Sequence, residues 1–164
     1  MNAIVSGQVA DVRIVGTNRG ATRDEIMGME NFLRAQEGAI IGDSNTCPLK
    51  HSFSDGLYVR EIFIPAGYFV IGKIHKHDHP NFLMSGTVNV ITEFESMTLS
   101  GPLSLISKAG TKRALYAVTD LVWVTVHLNP TNTQDLKDLE EEIIAPSYEA
   151  YEQFILNNSN NKIS

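Results

Sequence analysis

The sequence predicts a mainly β fold, a jelly-roll barrel with helices before and after it. From Leu57 to Asn129, short runs of β-branched and aromatic residues are separated by turn residues such as Pro65-Ala66-Gly67 and Ser85-Gly86. This spacing is typical of an all-β sandwich or barrel, and it predicts a set of short strands. The predicted strands cover 57–64, 68–76, 80–84, 87–93, 95–99, 103–107, 113–118 and 121–128.

The segment before the barrel, residues 1–50, predicts an extended arm, a short helix and a loop. Short apolar runs mixed with glycines in residues 1–20 favour an arm with one short strand. Thr22 and Glu25 have the spacing of a capping box, so a helix is expected over 22–37. Residues 42–50 are rich in turn formers and predict a loop.

After the barrel, which we place at 51–130, the periodicity becomes helical again. Thr133 is a candidate cap for one helix, and Pro146-Ser147 begins a second one. Tyr148, Tyr151 and Ile155 form a stripe on this second helix, which could pack on its own barrel or on a partner subunit. Residues 131–164 are therefore expected to form C-terminal helices and a polar tail.

Composition narrows the class of protein. With 164 residues the chain is long enough for one well-packed domain, and its net charge of −6 argues against a nucleic-acid partner. The single cysteine, Cys47, cannot form an internal disulfide. No segment has the length and apolarity of a membrane span or reads as a secretory leader. We expect a soluble, cytoplasmic protein with neither nucleic acid nor a membrane as partner.

Three histidines, His75, His77 and His79, stand at alternate positions near the end of a predicted strand. Side chains alternate along a strand, so a strand that continued to His79 would point all three the same way. On the last strand, His127 shares a face with Trp123 and could approach them from across the barrel. Converging neutral imidazoles are suitable ligands for a divalent transition metal.

A structural interpretation of these histidines stays open. Lys76 and Asp78 are polar, which also fits a solvent-facing segment whose imidazoles bond to loop backbone. For His79, which directly precedes Pro80, this interpretation and the metal-ligand interpretation are close to equal.

Residues 67–86 resemble the first motif of the cupin family, in which two histidines and a carboxylate precede an apolar strand ending in glycine. Here His79 occupies the position of the carboxylate, and Gly86 ends the strand. The resemblance implies a cupin barrel that binds iron, manganese, nickel or zinc through His75, His77 and His79, with His127 as candidate fourth ligand. If the protein is an enzyme, the resemblance implies metal-assisted chemistry on a small polar molecule.

The second cupin motif, Pro-x-Gly-x-x-His, resembles residues 108–113, but Arg113 replaces the histidine. A guanidinium cannot ligate a metal, so Arg113 is expected either to recognise a carboxylate or phosphate or to pair with Glu61 or Glu93. Glu61 shares a strand face with Leu57, Val59 and Phe63, which predicts a buried, paired carboxylate. The candidate substrate-binding residues are Arg113, Lys112, Glu61 and Trp123.

A broader likeness over about residues 48–145 resembles an uncharacterised cupin-like family of tailed bacteriophages and prophages. It implies an alternative function, a virion structural or assembly protein built on the barrel, with other phage structural proteins as partners. A third alternative is a metal-free module that binds an anion through Lys112 and Arg113. We also expect a homo-oligomer joined partly by residues 1–20 and the helical stripe.

Overall fold

The computed structural model describes residues 5–8 and 19–160 of the chain. Antiparallel strands are the main secondary structure, and three helices lie outside the barrel. The helices are α1 (Arg23–Arg34), α2 (Leu136–Ile143) and α3 (Tyr148–Asn160). The strands are β1 (Val5–Gln8), β2 (Ile40–Ile41), β3 (Leu49–Ser54), β4 (Leu57–Ile64), β5 (Tyr68–Ile71), β6 (Ile74–His75), β7 (His79–Ser85), β8 (Thr87–Ile91), β9 (Ser96–Ser100), β10 (Leu103–Ser107), β11 (Ala114–Ala117), β12 (Leu121–Leu128) and β13 (Ile144–Ala145).

Two antiparallel sheets form the barrel. The first sheet has the order β2-β1-β5-β11-β8-β9, and the second has the order β10-β7-β12-β4-β3. Eight of these strands correspond to the predicted barrel strands, and they pair from the outside inwards along the sequence. The pairs are β4 with β12, β5 with β11, β7 with β10 and β8 with β9. This is the pairing of a double-stranded β-helix, so the predicted jelly-roll fold of the cupin type is confirmed.

Turn residues explain why the strands end where they do. Gly86 separates β7 from β8 with φ +90°, and a Cβ atom there would lie 2.3 Å from the carbonyl oxygen of Asp120. Only glycine tolerates both conditions. The strand expected at 68–76 is instead divided into β5 and β6, which are separated by Gly72 and Lys73; the Gly72 N–H still donates to the Arg113 carbonyl beside β11.

The core lies between the two sheets. Its centre contains Ile64, Leu83, Val88 and Leu121, each at most 1% exposed. Burial alternates along β12, so Trp123, Thr125 and His127 face the interior, as predicted.

The predicted orientation of β4 is wrong. Its interior face carries Tyr58, Arg60 and Ile62, so Glu61 points to the outer face and Arg60 takes the inward position. Both faces of this strand have apolar residues, so the sequence pattern alone does not distinguish them. Glu61 makes no ion pair with any residue of 5–8 or 19–160. The expected buried, paired carboxylate is therefore not found.

Strands β2, β3 and β13 were not predicted. The first part of β3 replaces the end of the loop expected at 42–50, and β3 adds to the edge of the second sheet beside β4. Strand β1 confirms one short strand within the N-terminal arm, and it lies between β2 and β5 of its own chain. Most of the remaining arm and residues 161–164 of the polar tail lie outside the described residues.

The helices follow their capping signals. The capping box of Thr22 and Glu25 begins α1 as predicted. Helix α2 is capped by Asp135 instead of Thr133, since the Asp135 carboxylate accepts from two backbone N–H groups of the first turn. Tyr148 of α3 packs with Ile74 inside the same chain. In the described part of the chain, no helix has the length and apolarity needed to cross a membrane.

Candidate metal centre

Three buried histidines come together at one end of the barrel interior. His75 is on β6, His79 begins β7 and His127 is near the end of β12. One ring nitrogen of each lies within 4.8 Å of the corresponding atoms of the other two. The ring centroids of His79 are 4.2 Å from those of His75 and 4.5 Å from those of His127. Three of the four predicted ligands therefore form one cluster, which we call the histidine triad.

Two different sheets position the three rings. β7 and β12 are neighbours in the second sheet, which brings His79 beside His127. His75 is held by the short pairing of β6 with β13, opposite Ile144, and its carbonyl accepts from the Gly110 N–H at 2.9 Å.

His77 is not part of the triad. Its side chain is exposed, and its ring meets Phe154 edge-on at 5.4 Å between centroids. The chain bends at Lys76 and His77, between β6 and β7, and the Asp78 carboxylate accepts from the Ala109 N–H just after this bend. The expected alternation through 75, 77 and 79 is therefore wrong for His77.

The protonation of His79 is fixed by its surroundings. Its Nδ1 lies 3.1 Å from the His77 carbonyl oxygen, which can only accept, so Nδ1 carries the proton. The lone pair is then on Nε2, which is buried and has no hydrogen-bond partner among the described residues. A buried acceptor without a partner is destabilising by about 1–3 kcal/mol, and a metal ion would satisfy it. The residues present thus fit a metal.

Burial keeps the triad neutral. Desolvation lowers the pKa of His79 to about 4 and that of His127 to about 3. For His75, desolvation and the neighbouring His79 and His127 lower the pKa well below its ordinary value. Neutral imidazoles keep the lone pairs that a metal requires.

Tyr58, which the sequence did not single out, packs against His127 and is itself held by His51. The Tyr58 ring stacks on the His127 ring with centroids 6.0 Å apart, and its hydroxyl is 2.7 Å from Nδ1 of His51. The sequence pattern missed Tyr58 because it predicted the opposite orientation of β4, with Glu61 inward and Tyr58 on the outer face.

A buried hydrogen-bond network lies beneath His79. Asn81 accepts from Nε1 of Trp123 at 2.8 Å, and it donates to the carbonyl of His79 and to Oγ of Ser107. All four residues are buried. Trp123 was predicted as a substrate contact, and the structure places it in the wall of an interior cavity while its polar atom is occupied by Asn81.

The structure places the predicted substrate contacts Arg113 and Lys112 in different surroundings. Arg113 lines that interior cavity, whose volume is about 50 Å³. Lys112 points elsewhere and forms a buried ion pair with Glu30 of α1, so its predicted role toward a ligand is replaced by a structural one. Arg113 pairs with neither Glu61 nor Glu93, and Glu93 is bonded to Arg23 instead.

No family model and no curated protein sequence matches this chain. Solved structures with a similar outline include ectoine synthase from P. lautus, at 16% identity and TM-score 0.49, covering 60% of this chain and 75% of that one. KdgF from Halomonas sp. has 15% identity and TM-score 0.47, covering 62% and 90%. An RmlC-like cupin family protein with a double-stranded β-helix fold from Methanocaldococcus jannaschii has 13% identity and TM-score 0.44, covering 54% and 86%.

At these identities and TM-scores, the matches carry no information about activity. The strand pairing and the triad define the class from the chain's own features, a cupin-type double-stranded β-helix with three histidines suited to a metal. The resemblance to a phage family stays a prediction.

Proposed function

We propose that this protein binds a divalent transition metal ion, iron, manganese, nickel or zinc, through His75, His79 and His127. The observation that carries the proposal is Nε2 of His79, a buried lone pair that faces no donor in the described chain. Imidazole suits several of these metals, so the donor set does not choose among them.

The chain's own residues prepare the site for a ligand. A cavity of about 230 Å³, the outer cavity, opens between the barrel and α2 and is lined by His75, His127 and Tyr58. A small polar molecule in the outer cavity would lie beside the triad. When bound there, the ion would supply Lewis-acid chemistry, polarising an oxygen of that molecule. The triad supplies three ligand atoms, which leaves coordination positions for a ligand.

Metal content tests the proposal. Protein reconstituted in turn with iron, manganese, nickel and zinc is desalted and measured by elemental analysis. We expect about one ion per chain for at least one metal, falling below about a tenth in His79→Ala. His77→Ala is the matched control and should retain the ion, because His77 is exposed and outside the triad. Equal metal content in both variants, or none in the unaltered protein, would overturn the proposal.

The virion interpretation depends only on the sequence resemblance, and no contact among the described residues favours it over metal binding. A homo-oligomer and a location in the host cytoplasm or virion likewise stay predictions. Tyr148 and Tyr151 pack within their own chain, which removes part of the stripe that motivated subunit contact.

A further inference from the structure

Two arginines from opposite sheets reach the interior of the barrel. Arg60 points inward from β4 of the second sheet, and Arg113 directly precedes β11 of the first sheet. Both line the interior cavity of about 50 Å³, and His75 lines it as well. The two arginines therefore share one cavity with His75 of the histidine triad.

Neither guanidinium has a carboxylate partner. Within residues 5–8 and 19–160, no Asp or Glu oxygen lies within 4 Å of Arg60 or Arg113, and neither side chain makes a hydrogen bond. Glu140 is the acidic side chain that interacts electrostatically with Arg60, but its carboxylate is bonded to Lys73 at 2.8 Å. Glu95 lines a separate cavity beside Arg113 but is exposed and forms no ion pair with it.

The wall of the interior cavity offers no compensating charge. It includes apolar side chains such as Ile62, Val70 and Leu115, and contains neither Asp nor Glu. Arg60 and Arg113 are partly buried, and withdrawing a cation from water without a partner is destabilising. Lys112 shows the contrast within the same chain, because it is buried against Glu30 and its charge is neutralised. Arg60 and Arg113 lack the carboxylate partner that Lys112 has in Glu30.

We propose that the interior cavity binds a small dianion, whose carboxylate or phosphate oxygens lie between Arg60 and Arg113 beside the triad. Guanidinium groups bind both kinds of oxyanion in the same bidentate way, and two of them match two negative charges. The inference deepens the proposed function and rests on it, since the dianion is taken to be the small polar molecule that meets the ion.

The size of the cavities fits this ligand. The interior cavity has room for a few water-sized groups, enough for one oxyanion head. It shares Arg60, Lys73 and His75 with the outer cavity of about 230 Å³, which has space for the rest of the molecule.

Calorimetric titration with malonate and with inorganic phosphate tests the inference and distinguishes a carboxylate from a phosphate ligand. Malonamide, a neutral analogue, should not bind. Arg60→Gln and Arg113→Gln should each weaken binding of the preferred anion at least about tenfold. Arg19→Gln removes an exposed guanidinium and should leave it unchanged. Absence of binding for both anions up to about 10 mM, or equal affinity in all variants, would overturn the inference.

Thermal unfolding gives a second readout that does not depend on anion affinity alone. Arg113→Met replaces a partly buried cation that has no carboxylate partner by an apolar side chain, so its melting temperature without anion should rise above that of the unaltered protein. Saturating anion should raise the melting temperature of the unaltered protein and leave that of the variant unchanged. A variant that melts lower and still responds to the anion would contradict the inference.

Metal content measured on the same samples separates this inference from the proposed function. If the protein retains metal but Arg60→Gln and Arg113→Gln do not change anion binding, the dianion site alone is overturned. Anion binding that needs both arginines in a chain without metal affinity would overturn the metal centre and the ion contact of the dianion.

Discussion

The ring of Tyr58 lies almost parallel to that of His127, at an angle of 27°, while its hydroxyl reaches Nδ1 of His51 at 2.7 Å. Tyr58 and His127 are also directly opposite each other in the pairing of β4 with β12. A residue that is not a ligand therefore restricts the orientation of a predicted ligand.

Tyr58→Leu should reduce metal affinity about tenfold, because the His127 ring loses the surface that holds it. Tyr58→Phe keeps the ring and should change affinity far less. Competition with a chromophoric chelator measures both. Equal losses in the two variants would show that the hydroxyl, and not the stacked ring, matters.

The metal-free protein should lose stability as pH falls from 7 to 5. The folded-state pKa values of His79, about 4, and His127, about 3, lie below the value of about 6.5 in the unfolded chain. In this window the unfolded state binds protons that the folded state does not, so acid favours unfolding. Each such histidine contributes at most about 1.4 kcal/mol per pH unit.

Urea unfolding in the presence of EDTA measures this dependence, and the window above pH 5 avoids most carboxylate titration. His127→Leu should make the slope shallower, whereas His77→Leu should not. A free energy of unfolding that is flat or rises toward pH 5 would contradict the neutral triad.

Glu30→Gln should destabilise the fold by about 3 kcal/mol, because it leaves the buried Lys112 ammonium without its carboxylate and also removes the ion pair of Glu30 with Arg34. Adding Lys112→Met to that variant should restore the part of the loss that comes from the unpaired ammonium, but not the part that comes from Arg34. Arg19→Gln breaks the exposed pair with Glu25 and should cost less than about 1 kcal/mol. Urea midpoints for the four proteins test whether the buried pair is structural.

Trp123→Phe should lower the free energy of unfolding by about 1–3 kcal/mol, since Asn81 loses the donor at 2.8 Å and keeps a buried, unpaired oxygen. Asn81→Leu removes that acceptor as well. The double variant should then be less destabilised than the sum of the single variants. Strict additivity would mean that the bond contributes nothing.

The barrel was predictable because its turns are local. Residues such as Gly86 identify the strand ends from the sequence alone, and alternation along β12 correctly gives the inward face of Trp123 and His127. The pattern was less informative for β4, where both faces have apolar residues and Arg60, not Glu61, turned out to be inward.

The site was only partly predictable because its geometry depends on distant segments. His77 leaves the expected face because the chain bends between β6 and β7, and the residues on either side of it, 76 and 78, bond to Ile143 and Ala109, which are far away in sequence. Nothing within residues 72–81 indicates these partners. The pairing of Lys112 with Glu30 likewise joins a barrel loop to α1, and local periodicity contains no trace of it.

Strand β12, the last barrel strand in the sequence, lies in the interior of its sheet between β7 and β4. During synthesis the ribosome releases β4 and β7 before β12. These two strands do not pair with each other, and they are joined only when β12 emerges and inserts between them. His127 arrives with that insertion, some fifty residues after His75. A nascent chain that has not yet released β12 therefore cannot assemble the triad, and metal acquisition should follow the insertion of β12 and report the completed folding of the barrel.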